Sequence, residues 1–331
     1  MAPTAVESPV LAEGLVRVED ALLDAVRAED PFLTEVASHL LTAGGKRVRP
    51  AFAMATSLTG DGAGGGLLRW GPPSEGAVLG GVAVELVHLG SLYHDDVMDD
   101  ATVRRTVETV NAKWGNLRAI LAGDYLLAKA SEIAAGLGTE VAVLLAATIG
   151  RLCEGQVTEL QDTYNMARTE ERYYRSIAGK TASLFATACR IGALVAELDR
   201  DRVDALTTFG ERYGMAFQVV DDVLDVVATD EDLGKPAGHD LVEGVYTLPV
   251  LLVLATPDGN ELRELLGKPL SDAERLRARD LVRAHDAIPA SIEVARGYVR
   301  EAVAAIEPVA TSDAGMWLVG AARSLLARVD R

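Results

Sequence analysis

The sequence predicts an all-α protein, built as a single large helix bundle over residues 1–331. Three observations carry that prediction. Hydrophobic residues make up 49% of the chain but aromatics only 5%, so Ala, Leu and Val must fill the interior. Small aliphatic side chains suit closely packed helices, whereas β-sandwiches lean on aromatic and β-branched residues. Long stretches also repeat apolar residues at helical spacing, with no alternating strand series and no short internal repeat between them. Finally, no linker with a composition shift divides the chain, so one domain is the simplest organisation.

The helical pattern runs through Leu11–Leu41, Ala77–Asp100, Leu117–Ala135, Glu140–Asp162, Tyr173–Glu197 and Ala205–Val227. It resumes in Ser271–His285, Ile288–Ile306 and Ala314–Val329. Between these lie two breaker-rich stretches. Thr59–Glu75 is rich in Gly and Pro and reads as a surface loop. Thr229–Tyr246 is polar and glycine-rich, and its length suits a functional flap better than a tight connection.

Composition narrows the function. A formal net charge of −17 argues against nucleic-acid binding, because a phosphate polymer would be repelled. The same acidity makes any local basic cluster a candidate for a specific anion site. The N-terminus has neither a basic n-region nor an apolar h-region, so no secretory signal is expected. No uninterrupted apolar run reaches the roughly 18 residues of a membrane span, so no transmembrane segment is expected. Cys153 and Cys189 each lie in an apolar helical segment and read as reduced core residues. A cytoplasmic protein is the expectation.

Two acidic clusters carry the chemistry. The first is His94-Asp95-Asp96-Val97-Met98-Asp99-Asp100; the second is Gln218-Val219-Val220-Asp221-Asp222-Val223-Leu224-Asp225. In each, the first and last Asp of the DDxxD stand four apart, so both carboxylates face one side of a helix. Like charges at that spacing repel, and their apolar surroundings add a desolvation cost unless a cation compensates. Hard carboxylate oxygens suit magnesium, which commonly binds one or two carboxylates together with substrate phosphates and water. A solvated helix face explains one such cluster well but two poorly. An EF-hand is excluded, since its D-x-D-x-D-G loop is absent.

Basic residues gather nearby. In Gly44-Gly45-Lys46-Arg47-Val48-Arg49-Pro50 the glycines let backbone approach an anion, and Lys46 and Arg49 can bind phosphate oxygens. Arg104-Arg105 follows the first acidic cluster. At about 100° per residue, His88, Ser91, Asp95 and Asp99 share one broad helix face.

The order GGKRVRP, VELVHLGSLYHDDVMDD, RR, KT and QVVDDVLD resembles the trans-isoprenyl diphosphate synthases, or polyprenyl synthetases. Further matches are Gly115-Asn116, Ala119–Asp124, Glu154-Gly155-Gln156, Gly179-Lys180-Thr181, Gly234-Lys235-Pro236, Asp240-Leu241 and Thr247-Leu248-Pro249. The resemblance runs from about Gly44 to Pro249; the C-terminal helices match only in kind. It implies a helix bundle of the isoprenoid synthase type with a central cavity. It also implies a homodimer and three magnesium ions per active site.

By that resemblance, Asp95 and Asp99 bind magnesium in the first motif and Asp221 in the second, with Asp225 nearby. Lys46, Arg49, His88 and Arg105 bind the diphosphate of isopentenyl diphosphate. Arg104, Lys180 and Lys235 bind the allylic diphosphate, while Thr181 and Gln218 line the cationic carbon chain with oxygen dipoles. Two positions depart from the family. Thr106 stands where Gly usually follows the arginine pair, and Val245 stands where many members have Lys after Glu243-Gly244.

The implied reaction is ionisation, condensation and elimination: an allylic cation is attacked by the double bond of isopentenyl diphosphate, and proton loss leaves a chain five carbons longer. No protein base is evident, and the resemblance implies that released diphosphate takes the proton. Short-chain members often carry an aromatic four or five residues before the first Asp. Here those positions are Gly90 and Ser91, with Val87, Val84 and Ala83 deeper. A product of about C30 or longer is therefore expected, with geranylgeranyl as the alternative. So apolar a product brings transient membrane contact at release into the expectation. A class I terpene cyclase shares aspartate-rich helices but needs no isopentenyl site, and a non-catalytic partner subunit would not keep both acidic motifs intact.

Overall fold

The computed structural model describes residues 8–60, 71–228 and 237–329. Its first helices are α1 (Pro9–Ala25), α2 (Pro31–Thr42) and α3 (Val48–Ser57). The single span expected over Leu11–Leu41 is thus divided. Asp30 accepts a hydrogen bond from the Phe32 amide, and Pro31 at the first helical position has no N–H to continue an earlier helix. Helix α3 went unread, because the basic residues at its start mask a short apolar helix that is almost wholly buried.

Helix α4 (Glu75–Met98) starts at Ser74, whose hydroxyl caps the Ala77 amide, and runs through the centre of the protein. After it comes a small antiparallel hairpin, β1 (Val103–Arg104) and β2 (Val107–Glu108), which the sequence did not announce. Its two-residue loop, Arg105 and Thr106, has φ of 51° and 67°. Right-handed strand twist favours such a turn, but a β-branched residue is poorly suited to it. Where the family usually has Gly, Thr106 therefore bears local strain.

The next elements are α5 (Val110–Trp114), α6 (Asn116–Gly136), α7 (Thr139–Gln161), α8 (Glu170–Ile177) and α9 (Ser183–Val195). Between α8 and α9, Ala178–Ala182 forms a π-helical turn, so the expected span Tyr173–Glu197 is one helix only in outline. Close approach to α7 accompanies this turn. A Cβ on Gly155 would lie 2.6 Å from the Lys180 nitrogen, and one on Gly179 would lie 2.7 Å from the Arg151 carbonyl oxygen.

Helix α10 (Arg200–Val227) is capped by Asp199, and after residue 236 come α11 (His239–Glu243), α12 (Leu248–Leu254) and α13 (Asn260–Leu265). The chain closes with α14 (Asp272–Arg283), α15 (Ala287–Ala305) and α16 (Asp313–Leu326). Helix α4 packs along α6, α3 and α9, and α10 packs along α9 and α15. Buried residues from Leu11 to Leu325 form one hydrophobic cluster. The few aromatics gather at its centre: Phe52 lies 4.4 Å from Tyr213 and 5.6–5.9 Å from Phe185, Phe209 and Trp317, centroid to centroid.

Two sequence expectations change here. Cys189 is buried as expected, but Cys153 is exposed on α7. Helices α4 and α7 are each long and apolar enough to cross a membrane by length and composition, although neither contains an uninterrupted apolar run. Most of α4 is buried, as suits a core helix, whereas most of α7 is not.

Candidate active site

The segment entering α3 builds a basic cavity of about 460 Å³. Lys46, Arg49, His88 and Arg105, widely separated in sequence, all line it, and Phe185 and Phe217 give it an apolar wall. Arg47 is different. It adopts φ 45° and turns inward, giving Nε to Glu19 at 2.6 Å and Nη1 to the buried Glu85 at 3.0 Å. It thereby anchors the loop that presents its neighbours.

Arg49 sits 4.7 Å over the Phe185 ring, and its buried Nε has no hydrogen-bond partner. Arg105 reaches back to the carbonyls of Leu40 and Gly44. Burial, and then the charges of Arg49 and Arg105, hold the His88 imidazole well below its ordinary pKa, so it is neutral. Burial and the nearby Arg328 also lower Lys46, against the opposing pull of Asp221. A cavity crowded with cations in this way is suited to an anion.

A second cavity, of about 370 Å³, is lined by Asp99, Lys180, Thr181, Gln218 and Asp222. The π-helical turn lets two consecutive residues, Lys180 and Thr181, face it together. Lys180 Nζ donates to Glu159 at 2.7 Å; Glu159 and Asp95 raise its pKa above the ordinary value despite burial, which acts to lower it. Asp95 and Asp221 line neither cavity, but Asp95 lies within electrostatic reach of Lys180, and Asp221 within reach of both Asp222 and Lys46. Asp95 is half-buried, and burial raises its pKa against the pull of Lys180. Partial withdrawal from water, then the Glu243 carboxylate, push Asp99 up to about 6. Asp221 is exposed, with Arg328 Nη2 at 3.8 Å from its Oδ1. Glu159 acts on Asp95, Asp99 and Asp222, so both acidic clusters lie within its electrostatic reach.

Other expected residues fall as follows. Arg104 Nε donates to the buried Asp96 at 2.5 Å, which fixes it beside the first cluster. Asp225 is buried and accepts from the Asp240 amide at 3.3 Å, joining α10 to α11. Lys235 lies outside the described residues. Gly90 faces α6, where a Cβ would meet the Gly123 oxygen at 3.1 Å and Leu127 Cγ at 3.2 Å. Ser91, half-buried, donates to the His88 carbonyl at 2.8 Å, and Val87 is fully buried.

Sequence reasoning passed over Glu85, Glu159, Arg168, Tyr173 and Asp222. Gln156 and Glu159 stand three apart on α7 and both line the second cavity, a spacing that was there to be found. Among the described residues, no three His, Cys, Asp or Glu side chains gather as a preformed metal site. The carboxylates nonetheless fit a divalent ion held jointly with a ligand. They are hard oxygen donors, and burial has raised Asp95 and Asp99, a cost that a cation relieves.

Comparison with known proteins shows the family. The family model described as polyprenyl synthetase matches residues 30–281. A nonaprenyl diphosphate synthase of Mycobacterium tuberculosis is 37% identical over 301 residues, covering 90% of this chain and 87% of the relative. Component 2 of the Bacillus subtilis heptaprenyl diphosphate synthase is also 37% identical, over 86% of this chain and 79% of the relative. The crystal structure of a Corynebacterium glutamicum geranylgeranyl pyrophosphate synthase, complexed with calcium and isoprenyl diphosphate, superposes with a TM-score of 0.81 at 37% identity, over 96% of each chain. The chain belongs to the polyprenyl synthetase family and is a prenyl-transferring enzyme of the all-α prenyl diphosphate synthase fold.

Proposed function

We propose that this enzyme condenses an allylic prenyl diphosphate with isopentenyl diphosphate, head to tail, in a magnesium-dependent reaction. One observation carries the proposal: two unlike cavities adjoin α4, one at Glu85 and His88 and the other at Met98 and the capping Asp99. One is lined by cations and phenylalanines, the other by carboxylates, Lys180 and amide and hydroxyl oxygens.

Lys46, Arg49 and Arg105 hold the isopentenyl diphosphate, with neutral His88 as a hydrogen-bond donor, and Phe185 and Phe217 take its five-carbon group. Arg104, Lys180 and Lys235 hold the allylic diphosphate, and Asp95, Asp99 and Asp221 would hold the magnesium ions with it. When bound, magnesium neutralises charge developing on the diphosphate as its bond to the allylic carbon breaks. Thr181 and Gln218 place oxygen dipoles along the cationic chain. The two sites hold the double bond beside the cationic carbon, which replaces a rare encounter by a positioned one. By resemblance to the family, departing diphosphate takes the final proton; the engagement of Glu85 by Arg47 and the weakened basicity of His88 are in keeping with this.

Product length is proposed as about C30 or longer. Ser91 and Val84 are small and lie on the Asp95 face of α4, so no aromatic plug rises from that helix. Gly90 supports this less than its size suggests, since its space is taken by α6; Leu127 there is the observation favouring a geranylgeranyl product. Farnesyl and isopentenyl diphosphates supplied together, with products sized by mass, test the proposal. Chains of C30 and above support it, and products that stop at C20 refute the long-chain assignment. The exposed Leu117 and Leu121 of α6 and Val143 and Val157 of α7 form the face on which a second copy is proposed to dock. Light scattering that gave a monomer would refute the homodimer.

A further inference from the structure

We propose that Arg168 is a further diphosphate-binding cation of the acidic cavity, donating from Nη2 to a phosphoryl oxygen of the allylic diphosphate. This rests on the prenyl diphosphate function proposed above. Arg168 lies in the loop between α7 and α8, and its side chain is only 1% exposed. Nη1 donates to the Tyr246 carbonyl at 3.0 Å, and the guanidinium sits 5.6 Å over the Tyr173 ring. Nε faces Asp162 Oδ2 at 3.7 Å, an ion pair too long for a hydrogen bond. Neither Nε nor Nη2 has a hydrogen-bond partner.

Buried guanidinium donors are ordinarily satisfied, so an unpaired Nη2 on an arginine that lines the cavity calls for a ligand. Charge points the same way. Asp162 also binds Arg172 at 2.7 Å, so one carboxylate serves two arginines and does not neutralise both. Arg168 lines the cavity that holds Asp99, Lys180 and Gln218. Val245, which lacks the expected lysine charge, lines it too. The loop is already fixed: Tyr164 donates its amide to the Gly244 carbonyl at 2.8 Å and its hydroxyl to that of Val242 at 3.0 Å. A planar donor fork held in place loses little freedom on meeting a phosphate.

The test is calorimetric titration of inorganic diphosphate, at saturating magnesium, into wild type, R168Q and R168K, with KM measured for each substrate. R168Q is expected to weaken diphosphate binding about tenfold or more, the usual effect of losing one charge-assisted hydrogen bond. R168K should recover part of that loss. KM should rise for the allylic diphosphate and stay within about twofold for isopentenyl diphosphate. Unchanged diphosphate affinity in R168Q, or equal rises in both KM values, overturns the assignment and leaves the function standing. A wild type that binds no diphosphate refutes the underlying function, and the assignment with it. If R168Q does not fold, a crystal structure of wild type with magnesium and diphosphate decides. Nη2 within about 3.2 Å of a diphosphate oxygen upholds the proposal, and any longer separation overturns it.

Discussion

Thr181 Oγ1 donates a 2.7 Å hydrogen bond to Gln218 Oε1, and so ties the π-helical turn to α10 inside the acidic cavity. The same amide donates from Nε2 to Asp222 Oδ1 at 2.8 Å, and Asp222 Oδ2 accepts from the Tyr173 hydroxyl at 2.5 Å. These four residues form one chain of bonds. It sets which way the Gln218 amide faces.

Tyr173→Phe tests that chain from its far end. The change leaves a buried carboxylate oxygen without its donor, at a cost of about 1–3 kcal/mol in unfolding free energy. With Asp222 released, Gln218 loses its fixed orientation, so kcat should fall by more than either KM changes. Denaturant unfolding and steady-state kinetics measure the two effects. Wild-type kcat in a destabilised variant would show the chain to be structural only.

The pH dependence follows from Asp99. Its carboxyl is raised to about 6, first by withdrawal from water and then by Glu243. A raised acid keeps its proton to higher pH, so protons compete with magnesium below about pH 6 and cease to compete well above it. The magnesium concentration giving half-maximal activity should therefore rise as pH falls from 8 through 6. A requirement flat across that range would contradict the role given to Asp99.

Thr106 offers a stability test independent of the chemistry. A β-branched residue at φ 67° carries a penalty of roughly 1–2 kcal/mol that glycine does not. Thr106→Gly should therefore stabilise the protein by about 1 kcal/mol, after the added freedom of the unfolded chain is set against it. A lower Tm would refute strain at this turn.

Gly90 and Ser91, neighbours in sequence, should respond differently to Phe. Ser91→Phe places a ring on the Asp95 face and should shorten the product. Gly90→Phe forces a ring against the Gly123 carbonyl and Leu127, so it should chiefly destabilise, by about 1–3 kcal/mol or more. Product sizing beside thermal unfolding separates them. Shortening by Gly90→Phe alone would reverse the assignment.

The acidic and basic motifs were legible because their meaning lies in spacing: Asp95 to Asp99 is one helical turn, and RR and KT are adjacent pairs. The all-α class was legible from composition. What escaped depends on contacts between distant segments. The π-helical turn accompanies an approach of Gly155 to Gly179 that no local pattern reveals. Arg47 and Arg49 look alike in GGKRVRP and both line the basic cavity, yet Arg47 is tied to Glu85 and Glu19 while Arg49 keeps an unpartnered Nε. Cys153 lies exposed between Arg151 and Glu154, polar neighbours that the apolar character of the longer helical segment outweighed. Pro31 was a similar case, a local signal overridden by the strong periodicity on either side.

The measurement that bears most directly on the whole account is magnesium-dependent consumption of isopentenyl diphosphate by wild type, Asp95→Ala and Asp221→Ala. Folding of each variant is verified by circular dichroism. Wild type is predicted to consume isopentenyl diphosphate only when an allylic diphosphate and magnesium are both present, and each folded variant should lose that turnover. Wild-type rates in either variant, or allylic turnover that leaves isopentenyl diphosphate untouched, would contradict it.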